Sequence, residues 1–459
     1  MKLSFCPIAL LLASLAVAQN PSDSPAQARE GTCGPPSYCA RTDRRLETYP
    51  EQPPALGPAG SIIVDPNFGS RILRVTDANS DPVQPGRSLF SPSSAEQTAW
   101  NKNSTMFYVT TSGGTFLLYA FDPTKMAARQ AKTPRLPWGP EPQFSFSQPN
   151  ILYGLNGRAV TFEQYDAANG RVTEVNSPAK CIKLAADDKI SGITVSADDN
   201  RFMAMLGPRQ DDFRILYVYD RKLGCRWYNT QTGEIGGDWG PKGTVSIPDR
   251  FPMHNARMAK SGKFLYTTRG VAGPPGRRWI VWEIDTLNAG VCTKACSGHH
   301  VLGYSHIIGP AGMNHPLDLS VKPLDNLDST TPLIKDLSPV KGSWYDSHFS
   351  WSNVSPDDSE PVCFSTYQPK NPENPVAPLL VAGPWENEID CAETDGRTLK
   401  VWRFAHTYST ARNGFWSTPR GNVSQDGRFF MFTSDWQDQL GKPPNGSQYR
   451  TDVFIVELR

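Results

Sequence analysis

The chain has 459 residues, and 46 Lys and Arg against 45 Asp and Glu give it a formal net charge of +1. No long block of one charge occurs, which argues against nucleic acid or an anionic membrane as the main partner. Length alone suggests two or three domains, but an array of internal repeats of this length can form one closed unit.

The N-terminal residues have the pattern of a secretory signal. One Lys precedes an apolar run from Ile8 to Val17, and a small-x-small triplet ending at Ala18 predicts cleavage after that residue. No other apolar stretch reaches the roughly 20 residues that a membrane span needs. We therefore predict a signal peptide over residues 1–18, a secreted or periplasmic protein, no membrane span, and a monomer.

The cysteines also favour an oxidising compartment. Cys6 leaves with the signal peptide, and an even set of eight remains. No CxxC pair occurs, so a zinc site is disfavoured. Because successive local modules favour local bridges, we predict four disulfides between neighbours along the chain: Cys33–Cys39, Cys181–Cys225, Cys292–Cys296 and Cys363–Cys391.

Residues 19–58 are rich in Pro, Ser and Gln and show no apolar period. This composition predicts an extended, Pro-rich leader ahead of one folded domain over residues 59–459. Deleting the leader is therefore expected to leave the folding and stability of the protein nearly unchanged.

From residue 59 onward, short β-rich segments alternate with clusters of Gly, Pro, Asn and Asp, which predicts an all-β protein. A unit of strand, Ser-x-Asp-Gly-like turn and aromatic-rich strand recurs six times, and a degenerate copy is placed at about 300–340. Such a period is typical of β-propeller blades, as in WD40-like repeats. We predict a single propeller of about seven blades, with six blades, a β-sandwich array or a right-handed β-helix as alternatives.

The two ends of the chain provide a second argument for a ring. The last unit stops at its third strand, within 452–459, and an unused strand, SRILRVTD (70–77), precedes the first unit. Pairing the two would complete the last blade and remove its open edge. We therefore predict that the strand at 70–77 pairs with the strand at 452–459.

Several segments, among them CGPPSYCARTDRR, YDSHFSWSNVSPDD and NVSQDGRFFMFTSDW, resemble a group of uncharacterised secreted bacterial propeller proteins. This resemblance covers nearly the whole mature chain and implies the fold, but no function. The blade pattern is more distantly similar to TolB-like propellers and to oligogalacturonate lyase, a propeller enzyme that uses histidines to hold a divalent metal.

All seven histidines lie at or after position 254. His254 and His348 each stand seven residues before the turn Ser of their unit, at the start of an innermost strand, so we predict both as ligand-binding residues at the channel mouth. His306, His315 and His406 lie in or near connections expected on the same face. His299 and His300 are adjacent, so on a strand at most one of them could join a site.

The similarity to oligogalacturonate lyase implies a set of roles for these residues. His254, His315 and His348 would hold one divalent metal, and Arg257 would neutralise a uronate carboxylate. Tyr304 or His406 would act as the base of a β-elimination. The chain departs from that enzyme because it has no His-x-His pair.

The sequence leaves open whether the protein is an enzyme. It contains no GxSxG, HExxH, Walker A or dinucleotide-binding motif. The leading interpretation is a binding or scaffold propeller that takes an extracellular glycan or peptide. The alternative is a metal-assisted carbohydrate-active enzyme, either a lyase or a hydrolase.

Overall fold

The structure of the protein is a computed structural model. It describes residues 33–92, 94, 96–132, 135–246, 250–269, 279–292, 299–310, 319–334, 346–367, 384–412, 414–444, 446 and 449–459. In this part of the chain, small antiparallel sheets form the seven blades of a β-propeller. The prediction of an all-β propeller with seven blades is confirmed. No helix in the described ranges has the length and apolar composition needed to cross a membrane.

Within each of blades 1 to 6 the strands pair in chain order. Blade 1 contains Leu89–Phe90, Met106–Thr111, Phe116–Asp122 and Ala127–Gln130. Blade 2 contains Gln143–Phe144, Ile151–Asn156, Thr161–Asp166 and Arg171–Asn176. Blade 3 contains Lys189–Val195, Arg201–Gly207, Ile215–Asp220, Gly224–Asn229, Glu234–Gly237 and Gly243–Thr244. The last two strands of blade 3 extend it beyond the four-stranded unit that the repeat predicts.

The later blades follow the same order. Blade 4 contains Met253–Met258, Phe264–Arg269, Trp279–Glu283 and Ala289–Val291. Blade 5 contains Val301–Leu302, His306–Pro310, Leu319–Pro323 and Thr331–Pro332. Blade 6 contains Asp346–Ser350, Val362–Tyr367, Glu388–Ala392 and Val401–His406. Blade 7 begins with Gly421–Val423, Phe429–Ser434 and Asp452–Glu457. Two 3-10 helices, Pro178–Lys180 and Gly414–Ser417, lie between blades.

Aromatic side chains pack one blade on the next, as the aromatic-rich strands predict. Tyr153 of blade 2 meets Phe202 of blade 3 edge to face, with ring centroids 4.9 Å apart. Phe121 of blade 1 meets Phe429 of blade 7 in the same way, also at 4.9 Å. Edge-to-face pairs of this kind are favourable beyond the area they bury.

The N-terminal strand closes the ring as predicted. Strand Arg71–Arg74 pairs with the last strand of blade 7, with Ile72 opposite Val456 and Arg74 opposite Phe454. A further strand, Ile62–Val64, pairs with Arg71–Arg74 and becomes the outer edge. Blade 7 therefore has five strands, one more than the sequence argument expected.

Three of the four predicted disulfides are present. Cys33–Cys39 closes a small loop in the leader, Cys181–Cys225 ties the segment before blade 3 to its fourth strand, and Cys363–Cys391 joins neighbouring strands of blade 6. None of these three crosses the ring. Cys296 lies outside the described residues, so its bond to Cys292 stays a prediction.

The described part of the leader, residues 33–58, is extended but packs on blades 6 and 7. Tyr38 is buried, with its ring against Trp402 and its hydroxyl donating to the Gly427 carbonyl at 2.8 Å. The backbone N–H of Arg403 donates to the Arg41 carbonyl at 2.9 Å. These contacts argue against the expectation that the leader is dispensable. A composition rich in proline removes regular structure but does not prevent single aromatic side chains from docking.

Two of the hairpin turns tie neighbouring blades together. Asp199 and Asp358 are the second residues of Asp-Asp turns and have φ values of 57° and 51°. The Asp199 carboxylate accepts the Ser147 backbone N–H of blade 2 at 3.1 Å. The Asp358 carboxylate accepts the backbone N–H groups of residues 304 and 305, in the turn of blade 5, at 2.6 and 2.8 Å. The turn at Gly427, which has a similar φ of 68°, is linked differently: the Asp426 backbone N–H donates to Ser104 Oγ in the turn of blade 1 at 3.0 Å.

We expect Asp358→Asn to lower the free energy of unfolding by about 2 kcal/mol, because an amide cannot accept all of these donors. Burial raises the pKa of Asp358, but hydrogen bonds from His306 and the backbone outweigh it, so the pKa lies below its usual value. The stabilisation is therefore present above the unfolded pKa of about 4 and lost as the pH falls further.

Urea unfolding at neutral and acidic pH measures the Asp358→Asn effect. Asp357→Asn is the matched control, since Asp357 in the same turn is exposed and accepts hydrogen bonds from Ser359. Equal stability of the two variants at neutral pH would contradict the inter-blade role.

Candidate functional site

A cavity of about 1210 Å³ is lined by all seven blades. Each blade contributes its first strand or the segment that leads into that strand. Since the first strands are the innermost ones, the cavity lies in the central channel of the propeller. The contributing segments are 88–90, 139–141, 190–193, 254–257, 299–300, 346–349 and 415–416.

The two histidines predicted as ligand-binding residues both line this cavity. His254 is the second residue of its strand, is partly exposed, and shares a hydrogen bond with Asp211 through Nδ1. His348 is the third residue of its strand and is buried, with its ring stacked on Tyr367 at 5.4 Å. The position of both side chains follows from the repeat, whereas their role in binding stays a prediction.

His299 and His300 both line the cavity, which corrects the expectation that at most one could do so. The argument from strand alternation does not apply, because both residues precede the first strand of blade 5. His299 Nδ1 lies 3.2 Å from Asp346 Oδ1 and 3.0 Å from the Ser347 carbonyl. His300 Nε2 lies 3.2 Å from Glu96 Oε1.

At this wall of the cavity, burial and nearby charges keep the carboxyl groups of Asp346 and Glu96 charged and the His348 ring neutral. Burial lowers the pKa of His348 well below its usual value, and the charges of His299 and Arg420 lower it further. Burial raises the pKa of Asp346 and of Glu96, but other interactions outweigh it and the pKa of each lies below its usual value. For Asp346 these are His299 and hydrogen bonds from Ser347 and Tyr367, and for Glu96 they are His300 and the charges of Arg257 and Lys260. The cavity wall therefore carries Asp–His and Glu–His pairs side by side with a neutral imidazole.

The other predicted chemical residues lie away from the cavity. Tyr304 donates its backbone N–H to Asp358 in the turn of blade 5. His306 Nδ1 lies 2.8 Å from an oxygen of the same Asp358 carboxylate. His406 is buried, with its ring against those of Tyr49 and Phe68. None of the three lines the cavity.

The expected position of His306 in a connection between blades is therefore wrong, whereas His406 does lie beside such a connection but outside the cavity. His306 follows the turn at the far end of a first strand, and His406 ends a fourth strand, which is the outermost of its blade. These positions also remove the support for Tyr304 or His406 as a base.

The predicted metal set of His254, His315 and His348 is only partly described, because His315 lies outside the described residues. Within the described ranges, one group of three potential metal ligands has its ligand atoms within 4.8 Å of one another: Cys181, Cys225 and Asp238. The two cysteines form a disulfide, so neither supplies the thiolate that a metal requires. His254 and His348 lie on blades 4 and 6 and belong to no such group.

Arg257, the candidate anion partner, does line the cavity. It is buried, and its Nε and Nη1 atoms have no hydrogen-bond partner. Arg226 and Arg420 are buried in the same way, each with Nε and Nη2 atoms that have no hydrogen-bond partner, so this feature is shared by several buried arginines of the protein.

A pair of aromatic residues in the connection between blades 6 and 7 was not predicted from the sequence. Phe415 and Trp416 lie on the short helix Gly414–Ser417 ahead of blade 7, and both line the cavity while remaining 44% and 50% exposed. The buried Arg420 guanidinium lies 4.4 Å and 5.3 Å from the centroids of these two rings. The guanidinium packs against both rings and helps to hold them in place.

Comparisons with known proteins add nothing finer than the fold already described. No protein-family model matches the chain, and no curated protein shows significant sequence similarity to it. The solved structures it is similar to include propellers. They include an oligogalacturonate lyase from Vibrio parahaemolyticus, with 11% identity, a TM-score of 0.38, and coverage of 89% of this chain and 99% of that one.

Two other solved structures are similar to a comparable degree. An oligogalacturonate lyase in complex with manganese has 12% identity and a TM-score of 0.37 over 89% of this chain and 98% of that one. The WD40 repeats of RRP9 have 11% identity and a TM-score of 0.47 over 87% and 100%. At such identities and TM-scores the likeness carries no argument about function.

Proposed function

We propose that this protein is a secreted binding propeller whose central cavity holds a glycan. The observation that supports the proposal is the pair Phe415 and Trp416. Among the described Phe and Trp residues, these two are the exposed ones, and both line the cavity. Aromatic rings that stay exposed inside a concave site are suited to stack on the apolar faces of sugar rings.

The rest of the cavity suits the polar edges of a sugar. Its volume of about 1210 Å³ exceeds that of a typical small-molecule pocket, so it has room for more than one sugar unit. Hydroxyl side chains that can exchange hydrogen bonds with a sugar line the wall near blades 1 and 3: Ser88, Ser94, Thr110, Thr111, Ser112 and Ser191. We expect the ring nitrogens of His254 and His348 to orient the ligand.

The proposed location outside the cytoplasm rests on the signal-like N-terminus and the disulfides. Three disulfide bonds in one chain are compatible with an oxidising compartment such as the periplasm or the extracellular space.

We expect Trp416→Ala to weaken glycan binding by at least about tenfold, because a central stacking Trp carries a large share of binding energy. A glycan array identifies the ligand, and isothermal titration calorimetry then compares native and variant protein. Leu223→Ala is the control, since Leu223 is 49% exposed but lies outside the cavity. A native protein that binds only peptides on a parallel array, or a Trp416→Ala variant with native affinity, would reject the proposal.

A metal-assisted enzyme remains the second candidate, because the cavity brings together His254, His299, His300 and His348. Elemental analysis of the purified protein and an assay for new reducing ends on the bound glycan separate the two candidates. A stoichiometric divalent metal together with cleavage would replace the binding proposal by the enzymatic one. Binding without cleavage supports the binding protein.

A further inference from the structure

The first strand of blade 1 is interrupted by a segment that enters the central channel. Strand Leu89–Phe90 ends, and pairing with the second strand resumes at Trp100. Within the interruption, the Gln97 side-chain amide donates to two backbone carbonyls ahead of blade 2, at 3.1 and 3.0 Å. The Gln97 carbonyl accepts the side-chain amide of Asn422, in blade 7, at 2.8 Å. Residues 96–98 of this interruption are called the channel arm below.

Two side chains reach between blades that are not neighbours. Glu96 of the channel arm extends from blade 1, and its Oε1 atom lies 3.2 Å from His300 Nε2 at the start of blade 5. Lys260 of blade 4 donates from its Nζ atom to the Trp351 carbonyl of blade 6, past blade 5. In a ring of blades, contacts of this kind form on the side of the central axis. The channel arm and Lys260 therefore lie inside the ring and obstruct the channel.

The ends of the first strands close the far side of the channel. Each blade contributes one buried residue where its innermost strand ends, and none of these residues lines the cavity: Trp100, Ser145, Ser196, Ala259, Gly303, Trp351 and Ser424. Since the starts of the same strands do line the cavity, the cavity has a floor of packed residues at this side.

The opposite side of the cavity opens to solvent. The turns between second and third strands contribute exposed lining residues, among them Ser112 in blade 1, Gly157 in blade 2 and Gln210 in blade 3. Successive strands are antiparallel, so these turns lie on the side where the first strands begin. Because all seven blades contribute to the wall, the described residues form a cup with one mouth.

We propose that this cup binds the end of a glycan chain, with the terminal sugars inside and the rest of the chain leading out through the mouth. An internal segment of a glycan needs a second exit, and the channel arm and the floor occupy its path. Phe415 and Trp416 precede the first strand of blade 7, on the mouth side, where they can stack on the entering sugars. The inference rests on the proposed glycan-binding function and adds which part of the glycan is recognised.

The number of protein molecules bound to one glycan chain tests the inference. Calorimetric titration of the full mature protein uses maltohexaose, cellohexaose and chitohexaose, followed by longer homologues of the probe that binds. One protein molecule per chain is expected at every length, because each chain has one end of the fitting polarity. A number that rises with chain length overturns the inference. So does equal affinity for maltohexaose and α-cyclodextrin, a ring of the same glucose units without ends.

Two labelled variants test the side of entry. Ser112→Cys places a thiol at the mouth, and Asn103→Cys places one in an exposed turn of the same blade on the floor side. Each thiol is coupled to a biotin maleimide, and affinity for the linear probe is measured before and after streptavidin is added. Streptavidin at position 112 is expected to weaken binding at least about tenfold, and streptavidin at position 103 to leave it unchanged. Equal effects at the two positions overturn the inference.

The outcomes separate this inference from the proposed function. Binding that depends on Trp416 but gives a number of proteins per chain that rises with length rejects end-on recognition alone. Failure of every linear probe, on the glycan array as well as in calorimetry, rejects the proposed function and this inference with it.

Discussion

A chain that lacks residues 19–77 is expected to aggregate or stay unfolded, because blade 7 would lose both of its outer strands. Ile72 and Leu73 are fully buried on opposite faces of that sheet, one in the core shared with blade 6 and the other in the core shared with blade 1. Arg74 also pairs with the buried Asp452 carboxylate at 2.6 Å. Burial of two large aliphatic side chains alone is worth about 3 to 6 kcal/mol, comparable to the net stability of many domains.

Circular dichroism and size-exclusion chromatography measure the outcome of this deletion. A point variant isolates the strand from the leader: Leu73→Asn is expected to destabilise strongly, whereas Val64→Asn, at a position 58% exposed on the outer edge strand, is expected to have little effect. A monomeric protein with a native-like spectrum after removal of residues 19–77 would show that the ring does not depend on this strand.

Deletion of residues 19–58 alone is expected to leave a folded protein that is less stable by about 3 to 5 kcal/mol. The loss arises where the leader crosses blades 6 and 7. Tyr38 meets Trp402 and Phe404 edge to face at 5.2 Å and 5.1 Å. Trp436 donates its indole N–H to the Pro54 carbonyl at 2.8 Å. Without the leader, the buried faces of Trp402 and Trp436 become exposed to water.

Tyr38→Ala should account for most of the effect of the leader deletion, and denaturant unfolding of both proteins measures it. Leu46→Ala is the matched control, because Leu46 lies in the same leader but is 53% exposed. If the deletion changed stability no more than Leu46→Ala does, the leader would be dispensable, as its composition first suggested.

Local patterns carried most of the fold information. Blade 5 is an example, because its first strand, Val301–Leu302, is only two residues long. The spacing of the neighbouring repeats nevertheless placed this blade correctly at about 300–340. The extra strands of blade 3 and the edge strand Ile62–Val64 were missed, because they add to the repeat and do not recur in it.

The candidate site was less predictable. His254 and His348 were placed correctly at the start of innermost strands, since that position depends only on register within the repeat. His406 lies beside the connection where it was expected, but it does not reach the cavity, because distance from the ring axis depends on which strand of the blade holds a residue. Phe415 and Trp416 gave no signal, since aromatics that pack between blades and aromatics exposed in the cavity look alike in sequence.

The sequence by itself determined the β class, the number of blades, the closing strand and the local pairing of cysteines. Each of these depends on residues that are close in the chain or on a count of strands, so a linear pattern can record it. Only the tertiary structure decided which side chains meet in the channel and that the leader docks on blades 6 and 7. Arg257 and the exposed rings of Phe415 and Trp416 line the same cavity, although they come from segments about 160 residues apart. The closed ring brings such distant segments together around one axis.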